Sequence, residues 1–358
     1  MALNYEVACV VKVAVLGATG MVGQRFVELL EGHPSLELVC LAASDASKGK
    51  AYSEACSWIL DSEMPNYSKH LRLVGCNAKE VAASGATLVF SALPAGVASG
   101  VEEDMAKAGL AVVSKASPHR MEADVPLIIP EVNPEHLSLI GVQRKKRGWK
   151  GFISTDPNCS TCQLAIALKP LQQFGIRSVY VVTMQALSGA GYPGVPSLAI
   201  ENNAIPFIEG EEEKIESELL KLLGPISSTS LIPASFGVMA SCNRINSIEG
   251  HLESVFVEFE RKVSVAEART ALAGFLGEPQ LLKLHSAPRR PIVVREEADR
   301  PQPRRDWREG NGMSVVVGRL REGKGNTLIF SCLSSNTVRG AAGNGILHAE
   351  LLHAKGLV

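Results

Sequence analysis

The chain has 358 residues, which corresponds to roughly two domains at about 100 to 200 residues each. Its 36 Lys and Arg against 37 Asp and Glu leave a formal net charge of -1, which excludes the cationic surplus that nucleic acid or an anionic membrane demands. Hydrophobic residues at 46 % and charged residues at 20 % describe a globular chain, and eight cysteines are too sparse for a stapled secreted scaffold. Free thiols and a cytoplasmic address follow as expectations. No apolar run approaches the ~18 residues of a membrane span, and Val7 to Ala18, preceded by Glu6 and interrupted by Lys12, reads as a buried strand rather than a signal peptide.

From Val10 to Leu16 a β-branched run ends at Gly17-Ala18-Thr19-Gly20-Met21-Val22-Gly23, and Gln24 to Leu30 then has helical apolar spacing. Further strands are predicted at Leu36 to Ala43, Ala86 to Leu93, Ala111 to Ser114 and Leu127 to Pro130, with helical stretches between several of them. Such alternation implies a parallel, doubly wound α/β sheet, because parallel strands need crossover connections. Arg144 to Arg147 is read as a solvated hairpin loop between two strands rather than an import signal. Near Asp156 the rhythm changes. A helix from Ser160 to Phe174, a long strand from Ser178 to Ala186, a Gly/Pro-rich loop from Ser188 to Pro196 and an acidic helix from Glu211 to Leu223 follow. Ala240 to Ile245, Leu252 to Glu258, Met313 to Gly318 and Thr327 to Leu333 alternate as strands do. They indicate a second, α+β domain on one mixed open sheet. Pro288 to Arg308 is proline-rich and predicts an extended arm, either reaching across a subunit interface or lying as a surface loop. Thr337 to Leu352 reads as a helix that returns to the first domain.

A glycine turn between a strand and a helix accepts a pyrophosphate, because the helix start offers unpaired N–H groups and the positive end of its dipole. The spacing Gly17, Gly20, Gly23 departs from the usual G-x-G-x-x-G, but it follows the first strand of an alternating domain. A tight turn without a ligand is the alternative. After the second strand, Ser44, Ser47 and Lys48 favour NADP, whereas Asp45 favours NAD.

The segment Asp156-Pro157-Asn158-Cys159-Ser160-Thr161 puts a thiol at a helix start, where the dipole is expected to lower its pKa and Asn158 to cap the helix. An inert buried cysteine is the alternative. Among eight histidines His251 is the best placed base, opening a strand after Gly250. No His and Cys set has zinc spacing, so no metal is expected.

Six separated segments carry a resemblance: G-A-T-G-M-V-G, D-P-N-C-S-T, A-L-S-G-A-G-Y-P-G-V, G-E-E-E-K-I, R-I-N-S-I-E-G-H and S-N-T-V-R-G-A-A-G. In this order, and along nearly the whole length, they resemble the archaeal and fungal branch of the aspartate-semialdehyde dehydrogenase family. The resemblance implies a Rossmann-type NADP-binding domain over 1–157, completed by a C-terminal helix at 336–358, and a catalytic and dimerisation domain over 158–335. It implies Cys159 as nucleophile, His251 as acid/base and Gln185 as the residue orienting the thioacyl group. Arg244 would grip the substrate carboxylate by a bidentate pair and Glu211 its amino group, while Lys214, Arg120 and Asn158 would hold phosphate. Gly17, Thr19, Gly20, Met21, Val22, Gly23, Ser44, Ser47, Lys48, Ser188, Gly189 and Asn336 would contact NADP. The implied partners are a small-molecule substrate, inorganic phosphate and a second copy of the chain, as a homodimer or homotetramer. The implied reaction is NADPH-dependent reduction of aspartyl phosphate to the semialdehyde, on the route to lysine, threonine, methionine and isoleucine.

Three positions depart from the family. Ala46 stands where an arginine is frequent, Lys115 replaces the asparagine of S-N-A, and Cys162 occupies a position usually small and hydroxylated. Cys162 is read as a packed thiol, with a reversible disulfide to Cys159 as the alternative. A malonyl-CoA reductase would use a similar Cys and His pair, but has no need of Glu211. A non-catalytic NADP-binding redox sensor would not need the Arg244, Glu211, Lys214 and Arg120 set.

Overall fold

The computed structural model describes residues 10–227 and 230–358. Cys9 and the first residues of the Val7 to Ala18 run lie outside them. The glycine turn links strand β1 (Val11–Leu16) to helix α1 (Met21–Leu29). In β1 only Lys12 is exposed, because Val13 and Val15 enter one core while Ala14 and Leu16 enter another on the opposite face. A strand covered on both faces needs this continuous apolar run. With β2 (Leu36–Ala43), β3 (Val74–Gly75), β4 (Leu88–Ser91), β5 (Ala111–Ser114) and β6 (Phe152–Thr155) it forms an all-parallel sheet in the order β3-β2-β1-β4-β5-β6. The order reverses between β1 and β4, the switch point at which such sheets bind ligands beyond their strand ends.

The second sheet is mixed and has seven strands: β7 (Ile176–Gln185), β8 (Ala204–Ile205), β9 (Gly237–Ile245), β10 (His251–Phe259), β11 (Ile292–Val294), β12 (Val315–Glu322) and β13 (Thr327–Ser334). Its order is β11-β12-β13-β10-β7-β9-β8. Along β10 every second residue is buried, and the buried face is covered by a helix over Cys159–Leu168, in which Ser160 through Leu168 are all buried. The other face stays open and exposes Tyr180, Val182 and Met239. Register decides what meets at one edge of this sheet. Arg244 pairs with Gln185 at the ends of parallel strands, and His251, starting the antiparallel β10, lies one residue before the Leu252 that faces Met184. That edge meets the ends of β5 and β6. Ile346, Ala349, Leu351 and Leu352 of the helix Gly343–Ala354 are buried in the same core as β1. No helix among the described residues is long and apolar enough to cross a membrane.

Several expectations need correction. Leu127 to Pro130 is not a strand and makes one isolated bridge, Leu127 to Thr155. The Asn133 side chain takes its backbone groups instead, accepting from the Ile129 N–H at 2.9 Å and donating to the Leu127 carbonyl at 2.8 Å. The sixth strand is β6. Arg144 to Arg147 is no hairpin loop but the last turn of a helix, Leu139–Arg147, where cations suit the carbonyl end. Arg147 is fixed there on Asp124, Nε to Oδ2 2.5 Å, and over the Trp149 ring at 4.9 Å. The proline-rich arm folds on its own subunit: Ile292–Val294 is the edge strand β11, parallel to β12, and a short turn at Pro303–Asp306 follows.

Candidate active site

β6 ends at Thr155, and Asn158 caps the next helix, its Oδ1 accepting the Ser160 and Thr161 N–H groups at 2.9 and 3.2 Å. Such a cap is worth about 1 kcal/mol and fixes Cys159 as the first helical residue. The Cys159 Sγ lies 3.2 Å from His251 Nε2. The other ring nitrogen, Nδ1, accepts the Ala186 N–H at 3.0 Å. A backbone N–H only donates, so the neutral imidazole carries its proton on Nε2, facing the sulfur. Burial, and then Arg244, push the His251 pKa down to about 3. Burial raises the Cys159 thiol to about 12, with Glu211 adding to the rise and Arg244 and Arg120 opposing it. Against the lowering expected at a helix start, burial is the largest cause and carries the thiol of the ligand-free protein upward, with the Ser160 N–H among the groups opposing it. The neighbouring loop leaves no slack: a Cβ on Gly189 would sit 2.9 Å from both Arg244 Nη1 and His251 Cε1.

Around this pair the charged residues form a connected set. One oxygen of Glu211 accepts from the Asn158 amide at 2.6 Å and the Gln185 amide at 3.2 Å, and the other lies 3.5 Å from Lys214 Nζ. Arg244 donates to the Ala186 carbonyl at 2.6 Å. Arg120 donates to Glu218 at 2.8 Å and to the Lys115 carbonyl at 2.7 Å. Thus Cys159, His251, Gln185, Asn158, Glu211, Lys214, Arg244 and Arg120, from distant parts of the sequence, are gathered at one place.

A cleft of about 780 Å³ runs from Thr19, Gly20, Met21 and Val22 at the start of α1 to Arg120, Asn158 and Cys159, with Ser188, Gly189 and Asn336 along its wall. Gly17 has a φ of +70°, and a Cβ there would meet the Ala92 carbonyl at 2.6 Å; one on Gly23 would meet the Gly17 carbonyl at 2.2 Å. The turn is thus a cradle closed to side chains, with a helix start aimed into the cleft, which fits a dinucleotide pyrophosphate. Asn336 braces the wall, donating to Ser188 Oγ at 2.7 Å and accepting the Gly250 N–H at 3.0 Å. Ser44, Ser47 and Lys48 do not line the cleft. They lie on a turn after β2, and Lys48, read from the sequence as favouring NADP, is paired with Glu80 at 2.5 Å.

Beneath the thiol lies a charge network that sequence reasoning missed. Asp156, two residues before Asn158, takes Lys115 Nζ at 3.1 Å and the Asn344 amide at 2.8 Å, with His348 Nδ1 3.0 Å away. Arg339 grips Glu131 through two bonds of 2.8 and 2.6 Å with both side chains wholly buried, and also donates to Asn344 at 3.0 Å. Removing one partner of such a pair costs about 3–5 kcal/mol. A lone arginine in the apolar V-R-G-A-A-G run was the available signal. Cys162 Sγ points to the Arg339 carbonyl, 3.4 Å away, so the two thiols hold different partners.

A dinucleotide cradle and a half-buried thiol at one cleft, with a buried imidazole beside the thiol, describe a dehydrogenase. Residues 12–140 match the family model described as the semialdehyde dehydrogenase NAD-binding domain, and residues 168–339 match that of the semialdehyde dehydrogenase dimerisation domain. An aspartate-semialdehyde dehydrogenase from Archaeoglobus fulgidus is 54 % identical over 340 residues, covering 95 % of this chain and 97 % of its own. A malonyl CoA reductase (NADP) from Metallosphaera sedula is 42 % identical over 352 residues, covering 97 % of this chain and 98 % of its own. The crystal structure of aspartate semialdehyde dehydrogenase with NADP from Candida albicans superposes with a TM-score of 0.91 at 40 % identity, covering 98 % of this chain and 100 % of that one. The chain belongs to the semialdehyde dehydrogenase family, and is an oxidoreductase acting on an aldehyde that carries this family's dimerisation domain.

Proposed function

We propose that the protein reduces L-4-aspartyl phosphate to L-aspartate 4-semialdehyde through a thioester on Cys159. The observation that carries this reading is the Cys159–His251 pair at 3.2 Å, enclosed by Glu211, Arg244 and Arg120. A zwitterionic substrate with a second anion matches those three charges: Arg244 takes the α-carboxylate, Glu211 the α-ammonium, and Arg120 with Lys214 the phosphate. An ammonium on Glu211 also cancels the charge that opposes ionisation of the thiol. The glycine turn would hold the cofactor in its reduced form, NADPH, which would supply the hydride, in keeping with the NADP of the Candida albicans relative.

In the reductive direction the Cys159 sulfur forms a bond to the acyl carbon, the carbon–oxygen bond to phosphate breaks, and the thiol proton leaves on the departing phosphate. Hydride delivery turns the thioester carbonyl into an oxyanion. His251, whose Nε2–H already faces the sulfur, donates to that oxygen, which is the acid half of an acid/base role. Gln185 and Asn158, both tied to Glu211, orient the acyl group and the leaving anion. Breaking the carbon–sulfur bond releases the aldehyde. We assign residues 1–157 with 336–358 to the cofactor and 158–335 to catalysis and dimerisation. A second copy seats on the open face around Tyr180, Val182 and Met239, giving a cytoplasmic homodimer or homotetramer.

The test is phosphate-dependent NADP reduction with aspartate semialdehyde, repeated with Cys159→Ser. The variant is expected to lose at least ~1,000-fold in kcat. Undiminished activity refutes the thioester. Turnover of malonyl-CoA faster than of the semialdehyde refutes the role of Glu211 and favours the reductase reading.

A further inference from the structure

We infer that Glu218 is a positioning residue of the phosphate site, fixing the Arg120 guanidinium against the first turn of the nucleophile's helix. The inference rests on the phosphate-dependent reaction proposed above. Glu211, Lys214, Glu218 and Lys221 succeed one another at steps of three and four residues on the helix Glu211–Leu222, and so form one stripe along a single face. Three of the four hold different groups of the site. Glu211 takes the Asn158 side chain, whereas Glu218 takes the Asn158 backbone N–H at 2.6 Å with one oxygen and Arg120 Nη1 at 2.8 Å with the other. Lys221 Nζ donates to the carbonyls of Arg120, Glu122 and Val125 at 2.6, 2.8 and 2.8 Å. The side chain and the backbone of Arg120 are therefore both held from the same stripe.

Glu218 is only 2 % exposed, and a carboxylate so buried is tolerated where its oxygens receive strong donors. Both donors belong to the site: one is the cap residue of the catalytic helix, the other the cation proposed for phosphate. Without Glu218 the Arg120 guanidinium keeps only the Lys115 carbonyl, and its buried Nε has no hydrogen-bond partner. Glu218 does not itself line the cleft, so it acts through Arg120.

Charge alone and positioning give opposite signs. Glu218 partly neutralises Arg120, so if charge were all that mattered, Glu218→Gln would bind phosphate more tightly. If the carboxylate positions the guanidinium, the KM for phosphate rises by about tenfold or more, the loss of one charge-assisted hydrogen bond, while the KM for the aldehyde changes less than ~2-fold. Glu218→Asp keeps the charge but shortens the reach, and should weaken phosphate in the same direction. Steady-state kinetics with phosphate and aldehyde varied separately, plus the phosphate-induced rise in Tm of each folded variant, read this out. An unchanged or lower phosphate KM in Glu218→Gln, or a Glu218→Asp variant indistinguishable from the parent, overturns the proposal. So does an equal rise in both KM values. If Glu218→Gln does not fold, Glu218→Asp and its phosphate-dependent Tm decide alone. A parent enzyme whose rate does not depend on phosphate would instead defeat the reaction proposed above.

Discussion

The two ends of the cleft are built from different materials. At the β1–α1 turn the walls are backbone: a carbonyl closes over Gly17, another over Gly23, and the helix start points inward. Around Cys159 the walls are side chains, drawn from the segment before Arg120, the Asn158 cap, the stripe that includes Glu211 and Glu218, and the ends of β7, β9 and β10. The backbone end is built mainly from one short run of consecutive residues, closed by the Ala92 carbonyl just beyond the neighbouring β4. The thiol end exists only once two sheets have set their register and their mutual position. Its chemistry is correspondingly set by burial and neighbours more than by the helix that carries the nucleophile.

The sharpest test of that difference is the thiol's own titration. Raised to about 12 by burial and then Glu211, Cys159 holds far less thiolate near neutral pH than it would at its ordinary value. The ligand-free protein should react with iodoacetamide at Cys159 at a rate that climbs with pH through 10, without a plateau. The sign follows from the shift: a raised thiol pKa moves ionisation to higher pH. A plateau at or below pH 9 would mean that the helix start and the arginines prevail over burial, making the two ends of the cleft alike.

A second test carries the close-approach rule of the backbone end into the thiol end. Gly189→Ala places a methyl against His251 and Arg244 at 2.9 Å, and a displacement of about 1 Å at reacting groups costs on the order of 100-fold in rate. The expected result is a kcat lower by that factor, read by steady-state kinetics at saturating NADP and substrate. If kcat stays within twofold of the parent, the loop yields freely and the close fit at Gly189 is irrelevant to turnover.

Legibility in the sequence followed the same division. The glycine turn, the cap at Asn158 and the acidic helix are contiguous patterns whose physics is local, and their residues lie where the spacing placed them. What pattern could not reveal were the specific side-chain partners, some a few residues away and some far along the chain. Leu127 to Pro130 has the composition of a strand, yet Asn133 captures its backbone, and Arg144 to Arg147 reads as a loop until Asp124 and Trp149 are in place. Asp156 was visible only as the start of a motif. Its partners Lys115, Asn344 and His348 stand 41, 188 and 192 residues away. Six motifs in order located the thiol site through resemblance, and resemblance says little where this chain departs from its relatives, as at Ala46 and Lys115.

The smallest expected effect lies at the backbone end, where a side chain does matter. Beyond β2, Lys48 is the cation that the sequence offers to a 2′-phosphate, yet Glu80 accepts it at 2.5 Å while also taking the Asn77 amide at 2.6 Å and the Gly75 N–H at 3.1 Å. The pair is exposed, with Lys48 48 % accessible, so water and salt already weaken it and the phosphate must displace only a weak partner. Glu80→Gln keeps the acceptor for Gly75 but removes the charge. The ratio of kcat/KM for NADPH over NADH should then rise about two- to fivefold, the scale of an exposed ion pair, and the gain should shrink as ionic strength increases. An unchanged ratio at low salt would exclude Lys48 from the 2′-phosphate site and leave Ser44 and Ser47 as the side chains of that turn able to meet it.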